Sequence, residues 1–224
     1  MNSIHLVPVE GRVPYAAGLE WQREVARAKF DGDLAEVLVL LLEHEPVVTL
    51  GRGARDSNVV ASPGILESAG VSTVEVERGG DVTYHGPGQI VGYPVIDLEA
   101  LGIKVKDYVW KLEESVIRTL GHFDLKGERI EGATGVWLDT GIPGKTRKIC
   151  AIGVRVSRYV TMHGFAFNVN TNLEYFDFIN PCGFTDKGVT SLQKELGRDV
   201  DIEEVKQNLK SSLKEVFKIS LIED

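Results

Sequence analysis

Residues 148–170 read KICAIGVRVSRYVTMHGFAFNVN. Apolar and β-branched residues fill Lys148 to Ser157 and again Val160 to Asn170, and only Arg158 and Tyr159 separate the two runs. Two strands joined so closely form a hairpin. Further strand-like pieces lie upstream at Val71 to Val76, Gln89 to Leu98 and Gly135 to Leu138, several alternating apolar with polar residues. Such alternation suits half-buried or mixed-sheet strands. The dense apolar run Ala35 to Leu42 suits a fully buried strand, and after Pro46 an extended pattern resumes over Val47 to Leu50.

Helical patterns flank and interrupt these strands. Ala16 to Lys29 holds good helix formers and few breakers. Val109, Leu112, Val116 and Leu120 recur at helical spacing, with Gly121 where a stop is expected. Near the C-terminus Asp201 and Glu204 resemble a capping box, and Ile202, Val205, Leu209, Leu213 and Val216 form one apolar face. Helices before, within and after hairpin-linked strands predict an α+β fold, a mixed or antiparallel sheet backed by helices. A doubly wound parallel sheet would need strands and helices in strict alternation.

At 224 residues the chain fits one domain, residues 1–224, with its core over about residues 30–218. Acidic residues outnumber basic ones, 33 to 25, for a formal charge of −8. That balance argues against a nucleic-acid binder, which needs a basic footprint. The longest apolar run, Val37 to Leu42, is too short to span a bilayer, so no membrane association is expected. Met1 to Pro8 lacks the basic segment and sustained apolar stretch of a signal peptide. Two cysteines are too few for a disulfide framework, and a cytoplasmic protein with reduced thiols is expected.

Two nucleotide-like fragments fail on inspection. Gly144-Lys145-Thr146 imitates the end of a phosphate loop, but Asp139 stands where the first glycine belongs, and a strand pattern follows where a helix is required. Residues Gly141 to Lys145 read instead as a hairpin turn. Gly51-Arg52-Gly53 starts a dinucleotide fingerprint, but Asp56 replaces its third glycine. The five histidines are scattered without metal-ligand spacing, so no metal is expected.

Three stretches carry chemical promise. Arg78-Gly79-Gly80-Asp81-Val82-Thr83-Tyr84-His85-Gly86-Pro87-Gly88 crowds polar side chains beside paired glycines that allow close backbone approach, and reads as a binding loop. In Lys148 to Gly153, Cys150 sits between Ile149 and Ala151 and reads as a buried, unreactive thiol; Lys148 alone would pass for a solvated strand residue. In Asn180-Pro181-Cys182-Gly183, proline and glycine constrain the loop around a reachable cysteine, a candidate nucleophile. A neighbouring ammonium would favour its thiolate.

With these residues quoted, the chain closely resembles the lipoyl(octanoyl) transferases. The matching pieces are Tyr15, Leu19, Glu20 and Gln22; Glu43-His44 with Pro46, Thr49, Leu50, Gly51 and Arg52; Arg78 through Tyr93; Lys148-Ile149 with Ala151, Ile152 and Gly153; His163-Gly164 with Ala166 and Asn168 to Asn170; and Ile179 to Gly183. The resemblance implies a biotin/lipoate protein ligase-like catalytic domain with the acyl chain in a tunnel. It implies that Cys182 takes octanoate from octanoyl-acyl carrier protein as a thioester and passes it to a lysine of a lipoyl domain. The acceptors implied are lipoyl domains of 2-oxoacid dehydrogenases and the glycine cleavage H protein. Lys148 would lower the Cys182 pKa and move protons. Arg78, Gly79, Gly80, Asp81, Val82, Thr83, Tyr84, His85, Ala151, Ile152, Gly153, Gly164, Phe165 and Ala166 would line the acyl site. Ala151 replaces a serine common in the family, leaving the backbone amide intact.

Thioester exchange is nearly neutral and thioester aminolysis runs downhill, so no cofactor and no ATP are expected. The alternatives are an ATP-dependent lipoate-protein ligase, a lipoyl-protein amidotransferase, a non-catalytic binder of acylated carrier protein, and a cysteine hydrolase activated by His85 or His163. Because acidic partners must dock on an acidic chain, a basic patch of Arg52, Arg78 and Arg147 is expected beside the tunnel mouth.

Overall fold

The computed structural model describes residues 3–32, 37–180, 187–218 and 220–223. In chain order its elements are β1 (Ser3–Val13), α1 (Tyr15–Asp31), β2 (Val37–His44), β3 (Val47–Leu50), α2 (Pro63–Ser68), β4 (Ser72–Glu75), β5 (Val82–His85) and β6 (Gln89–Val95). There follow α3 (Val105–Gly121), β7 (Glu128–Ile130), β8 (Ala133–Leu138), β9 (Arg147–Ser157), β10 (Val160–Asn168), β11 (Gly188–Val189), α4 (Leu192–Leu196), α5 (Ile202–Phe217) and β12 (Ser220–Glu223).

Among the described residues the strands form two sheets. The larger has the order β12-β1-β2-β6-β10-β9-β8-β7, with β11 added against β9; the smaller has the order β4-β3-β5. The β1/β2, β1/β12, β3/β4 and β9/β11 pairs are parallel and the others antiparallel, so the sheets are mixed. The predicted hairpin is the centre of the large sheet, with Val160 opposite Ser157 and Phe167 opposite Cys150.

Both faces of the large sheet are covered. Leu112, Val116 and Leu120 of α3 and Val205, Leu209 and Leu213 of α5 pack with Ile90, Val136, Ile149, Cys150, Phe165 and Phe167 into the main core. The opposite side carries α1, whose Tyr15, Leu19 and Ala26 pack with Val47, Val95 and Met162. Strand alternation divides β6 and β10 between these layers: Ile90, Phe165 and Phe167 face α3 and α5, whereas Val91, Tyr93 and Ala166 face the other way.

Several local readings need correction. Gly121 is the last residue of α3 and is not a left-handed cap; the helix ends at His122 in right-handed geometry. The α5 start uses Asp201, whose carboxylate accepts the Glu203 N–H at 3.0 Å rather than that of Glu204. The glycine-rich stretch read as a loop contains β5, which pairs with β3 from Val47↔His85 to Leu50↔Val82. Ala35 and Asp33 to Glu36 generally lie outside the described residues.

The α3 seam holds β8 and β9 in place. Leu112 is fully buried there, and truncating such a leucine costs about 2–5 kcal/mol. Leu112→Ala should therefore lower the urea-unfolding free energy by that amount, and a loss below about 1 kcal/mol would show that α3 is not a packing partner of this sheet.

Candidate active site

A cavity of about 480 Å3 opens on the α1 side of the sheet, within the range typical of small-molecule sites. Its walls bring together Arg78, Gly79, Gly80, Asp81, Val82, Thr83 and His85 with Ala151, Ile152, Gly153, Gly164, Phe165 and Ala166. Of the residues expected around an acyl chain, Tyr84 is displaced. Successive β5 side chains alternate, and Tyr84 turns into a separate cluster with Val48, Leu66 and Ile179, its ring stacked on Tyr175 at 4.9 Å.

The glycines have a steric purpose. A Cβ on Gly153 would lie 2.8 Å from the Gly79 carbonyl oxygen and 3.2 Å from Arg78 Cδ. Its absence lets the Arg78–Gly79 backbone lie flat on β9, where the Gly79 N–H donates to the Val154 carbonyl at 3.0 Å. Arg78 is buried and does not reach the surface: its guanidinium donates to the Thr49 carbonyl and hydroxyl, both at 2.9 Å, and to the Gly79 carbonyl.

Polar groups line or lie behind the cavity wall. His85 Nδ1 meets Gln89 Oε1 at 2.9 Å, and the Gln89 amide nitrogen donates to Asn168 Oδ1 at 2.9 Å and to the Tyr84 carbonyl at 3.1 Å. With the amide so oriented, His85 Nδ1 carries the proton. Asn168 then donates to the Thr190 carbonyl at 3.0 Å, and the Thr190 N–H donates to the Lys148 carbonyl at 2.9 Å. His44 Nδ1 donates to the Val13 carbonyl at 2.8 Å, so its Nε2 accepts from the Tyr93 hydroxyl at 2.6 Å. Burial lowers the pKa of His44 to about 4, and burial with the Arg78, Arg155 and Arg23 charges lowers that of His163 to about 3. Burial and the His44 and Arg78 charges hold His85 well below its ordinary value. All three are neutral at pH 7.

Lys148 lines this cavity and also a second one of about 450 Å3 with Trp137, Phe176, Asn180, Lys187 and Val189. Its ammonium donates to the Thr134 carbonyl at 3.3 Å and sits 4.5 Å from the centre of the Trp137 ring. A β-bulge aims it there. Val136 pairs with Cys150 but Trp137 pairs with Lys148, leaving Ile149 as the extra residue. Ile149 and Cys150 both enter the α3-side core, and Lys148 is turned to the cavity side.

Cys182 lies outside the described residues, as do its neighbours from Pro181 to Asp186. The flanks are fixed. Asn180 donates its N–H to the Asn58 carbonyl at 2.7 Å, and Val189 pairs with Lys148 in the β9/β11 ladder. Cys150 is fully buried, and burial pushes its thiol far up, which suits the structural reading.

Arg52, Arg78 and Arg147 do not come together as the expected basic patch. Arg52 is exposed, but Arg78 is buried and Arg147 is clamped between Asp139 at 2.6 Å and Glu195 at 2.5 Å. Tyr15, Gln89, Tyr93, Thr134 and Asn168 also line the main cavity or hold its lysine and had been given no role. Buried polar residues in otherwise apolar strands, such as Tyr93 and Asn168, were the available signal for them. Among the described residues no group of three or more His, Cys, Asp or Glu could hold a metal, and no helix is long and apolar enough to cross a membrane.

A mixed sheet covered by helices on both faces, with an apolar-walled cavity lined by a lysine on the α1 side, defines a class that sequence comparison identifies directly. Residues 14–214 match the family model described as the lipoyl protein ligase A/B catalytic domain, and the chain belongs to that family. Over 211 residues it is 54% identical to the octanoyltransferase of Parabacteroides distasonis, covering 92% of this chain and 96% of that protein, and it is an acyltransferase of this kind. The fold is also that of a bipartite lipoate protein ligase from Thermoplasma acidophilum (TM-score 0.74, 16% identity, 100% of this chain and 86% of that one). A biotin protein ligase from Aquifex aeolicus is similar at TM-score 0.53 and 15% identity, over 97% of this chain and 70% of that one.

The buried histidines set a pH dependence. Because the folded pKa of His44, about 4, lies below its ordinary 6.5, the unfolded chain takes up the proton first as pH falls between them. The associated stability is complete above about pH 6.5 and is lost towards pH 4, on the order of 3 kcal/mol for His44. Urea-unfolding free energies measured from pH 7 to pH 4.5 should fall more steeply for the wild type than for His44→Gln. Parallel profiles would show that His44 is not buried neutral.

Proposed function

We propose that the protein transfers an octanoyl group from the thioester of octanoyl-acyl carrier protein to the ε-amine of a lipoyl-domain lysine, through an octanoyl thioester on Cys182. The observation that carries this reading is the place of Lys148. Lys148 lines both cavities, and the second is also lined by Asn180, Lys187 and Val189, which flank in sequence the segment that contains Cys182. Asn180 precedes Cys182 by two residues, a chain reach of at most about 7 Å.

In the first step the Cys182 thiolate adds to the donor carbonyl, and the carrier thiolate leaves and takes up a proton. In the second the neutral acceptor amine adds to the Cys182 thioester, Cys182 leaves as thiolate, and the amine gives up one proton as the amide forms. Lys148 favours the Cys182 thiolate as the attacking group of the first step and as the leaving group of the second, and carries the protons. Covalent capture separates one transfer between two large proteins into two steps, each with one partner bound. The main cavity, with Val91, Gly153 and Ala166 in its wall, receives the acyl chain and excludes water, which favours lysine over hydrolysis.

Of the neutral histidines His85 and His163 line the main cavity, and none lines the second one among the described residues. That arrangement favours lysine rather than histidine as the group beside Cys182, and so favours the transferase over a cysteine hydrolase. The soluble working setting proposed is the cytoplasm, and the acceptors proposed are the lipoyl domains of 2-oxoacid dehydrogenases and the glycine cleavage H protein.

Intact-protein mass measurement after incubation with octanoyl-acyl carrier protein, without ATP, tests the mechanism. The wild type should gain one octanoyl group that a lipoyl domain then removes, and Cys182→Ala should gain none. Lys148→Ala should acquire the adduct at least about 100-fold more slowly, the low end of general acid–base effects. A requirement for ATP, or an adduct on Cys182→Ala, would overturn the mechanism.

A further inference from the structure

The Lys148 ammonium and the Glu113 carboxylate address opposite ends of one peptide group. Lys148 donates to the Thr134 carbonyl at 3.3 Å, and the N–H of that same peptide, carried by Gly135, donates to Glu113 Oε1 at 3.0 Å. Glu113 projects from α3, is buried, and receives Arg129 Nε on its other oxygen at 3.0 Å. Arg129 is itself fixed by Glu114 at 2.7 Å and by the Trp110 ring, 4.7 Å away. Hydrogen bonds in series polarise one another, and the effect is greatest where water is excluded. A carboxylate accepting the N–H end makes the carbonyl end a stronger acceptor for the ammonium.

Gly135 fits this use. Its φ of +128° is a conformation that L side chains rarely adopt, and a Cβ there would stand 2.6 Å from the Cys150 carbonyl oxygen and 3.3 Å from Lys148 Cε. The residue must therefore be small for the peptide to turn its N–H to α3 and its carbonyl to the lysine. The bulge at Ile149 lies one residue further along the strand pair, opposite Val136 and Trp137.

From this geometry we infer that Glu113 is a positioning residue for Lys148, acting through the 134–135 peptide. The inference rests on the proposal that Lys148 assists transfer. Glu113 touches neither substrate nor Cys182 in this account: it orients the carbonyl that holds the ammonium, and α3 supplies it from the far side of the sheet.

A double-mutant cycle on octanoyl transfer tests it, with Glu113→Gln, Lys148→Ala and the pair. Glu113→Gln keeps the shape and removes the charge. It should lower kcat about tenfold with KM changed less than about twofold, consistent with losing one charge-assisted bond. In the Lys148→Ala background the same change should slow transfer by less than about twofold. Gly135→Ala leaves Glu113 in place and presses on the lysine stem, so it should show the same dependence on Lys148. Melting temperatures within about 5 °C of the parent identify the folded variants to be compared, and either substitution suffices. Equal slowing in both backgrounds, or an unchanged kcat in the wild-type background, overturns the inference while leaving a slow Lys148→Ala protein intact. An unchanged kcat for Lys148→Ala itself would instead remove the role of the lysine, and that of Glu113 with it.

Discussion

The arrangement of the whole site depends on one extra residue in β9. Strand parity would put Lys148 and Cys150, two positions apart, on the same face. Cys150 is fully buried in the α3-side core, where an ammonium could remain charged only at a cost of several kcal/mol. The bulge at Ile149 resolves the conflict by letting Ile149 and Cys150 both face the core while Lys148 faces the cavity. A regular strand could not place the apolar pair and the lysine in three consecutive positions with these orientations.

The surrounding structure meets the demands of that irregularity. Gly135 supplies the unusual backbone on the facing strand, Glu113 takes its N–H, and Trp137 presents its ring to the ammonium. On the other side of β9, β11 pairs with Lys148 and Thr190 accepts from Asn168. Through Asn168, Gln89 and His85 the buried polar groups are joined from the middle of the cavity to the strand beside the lysine. Unpaired, each of these groups would cost about 1–3 kcal/mol. Connected, they fix the wall of the main cavity and the β11 strand beside Lys148 in one frame.

Much of this fold was legible because it rests on short-range patterns. The β9/β10 hairpin, α1, α3 and α5 are evident from alternation, helical spacing and end signals, and Cys150 could be recognised as buried from its neighbours. The extra residue at Ile149 could not, since an apolar residue between lysine and cysteine fits a regular strand equally well. The direction of Tyr84 is hidden for a related reason: its neighbours Thr83 and His85 line the cavity, and only the existence of β5 reveals that Tyr84 turns away. Arg78 and Arg147 do not join Arg52 in a basic patch because side-chain pairing is a tertiary matter. Nothing near Arg147 in sequence predicts Glu195, and nothing near Arg78 predicts Thr49. Cys182 and Lys148 were paired by family resemblance, and local chemistry alone singled out only the cysteine.

The central claim is that Cys182 carries the acyl group beside Lys148 with the chain in the main cavity. A crystal structure of the octanoylated protein tests it most directly. The account predicts the octanoyl chain between Val91, Gly153 and Ala166, and the Cys182 sulfur within about 6 Å of Lys148 Nζ, the range over which such a charge shifts a thiol's ionisation. An octanoyl chain outside this cavity, or a Cys182 sulfur beyond that reach of Lys148, would contradict it.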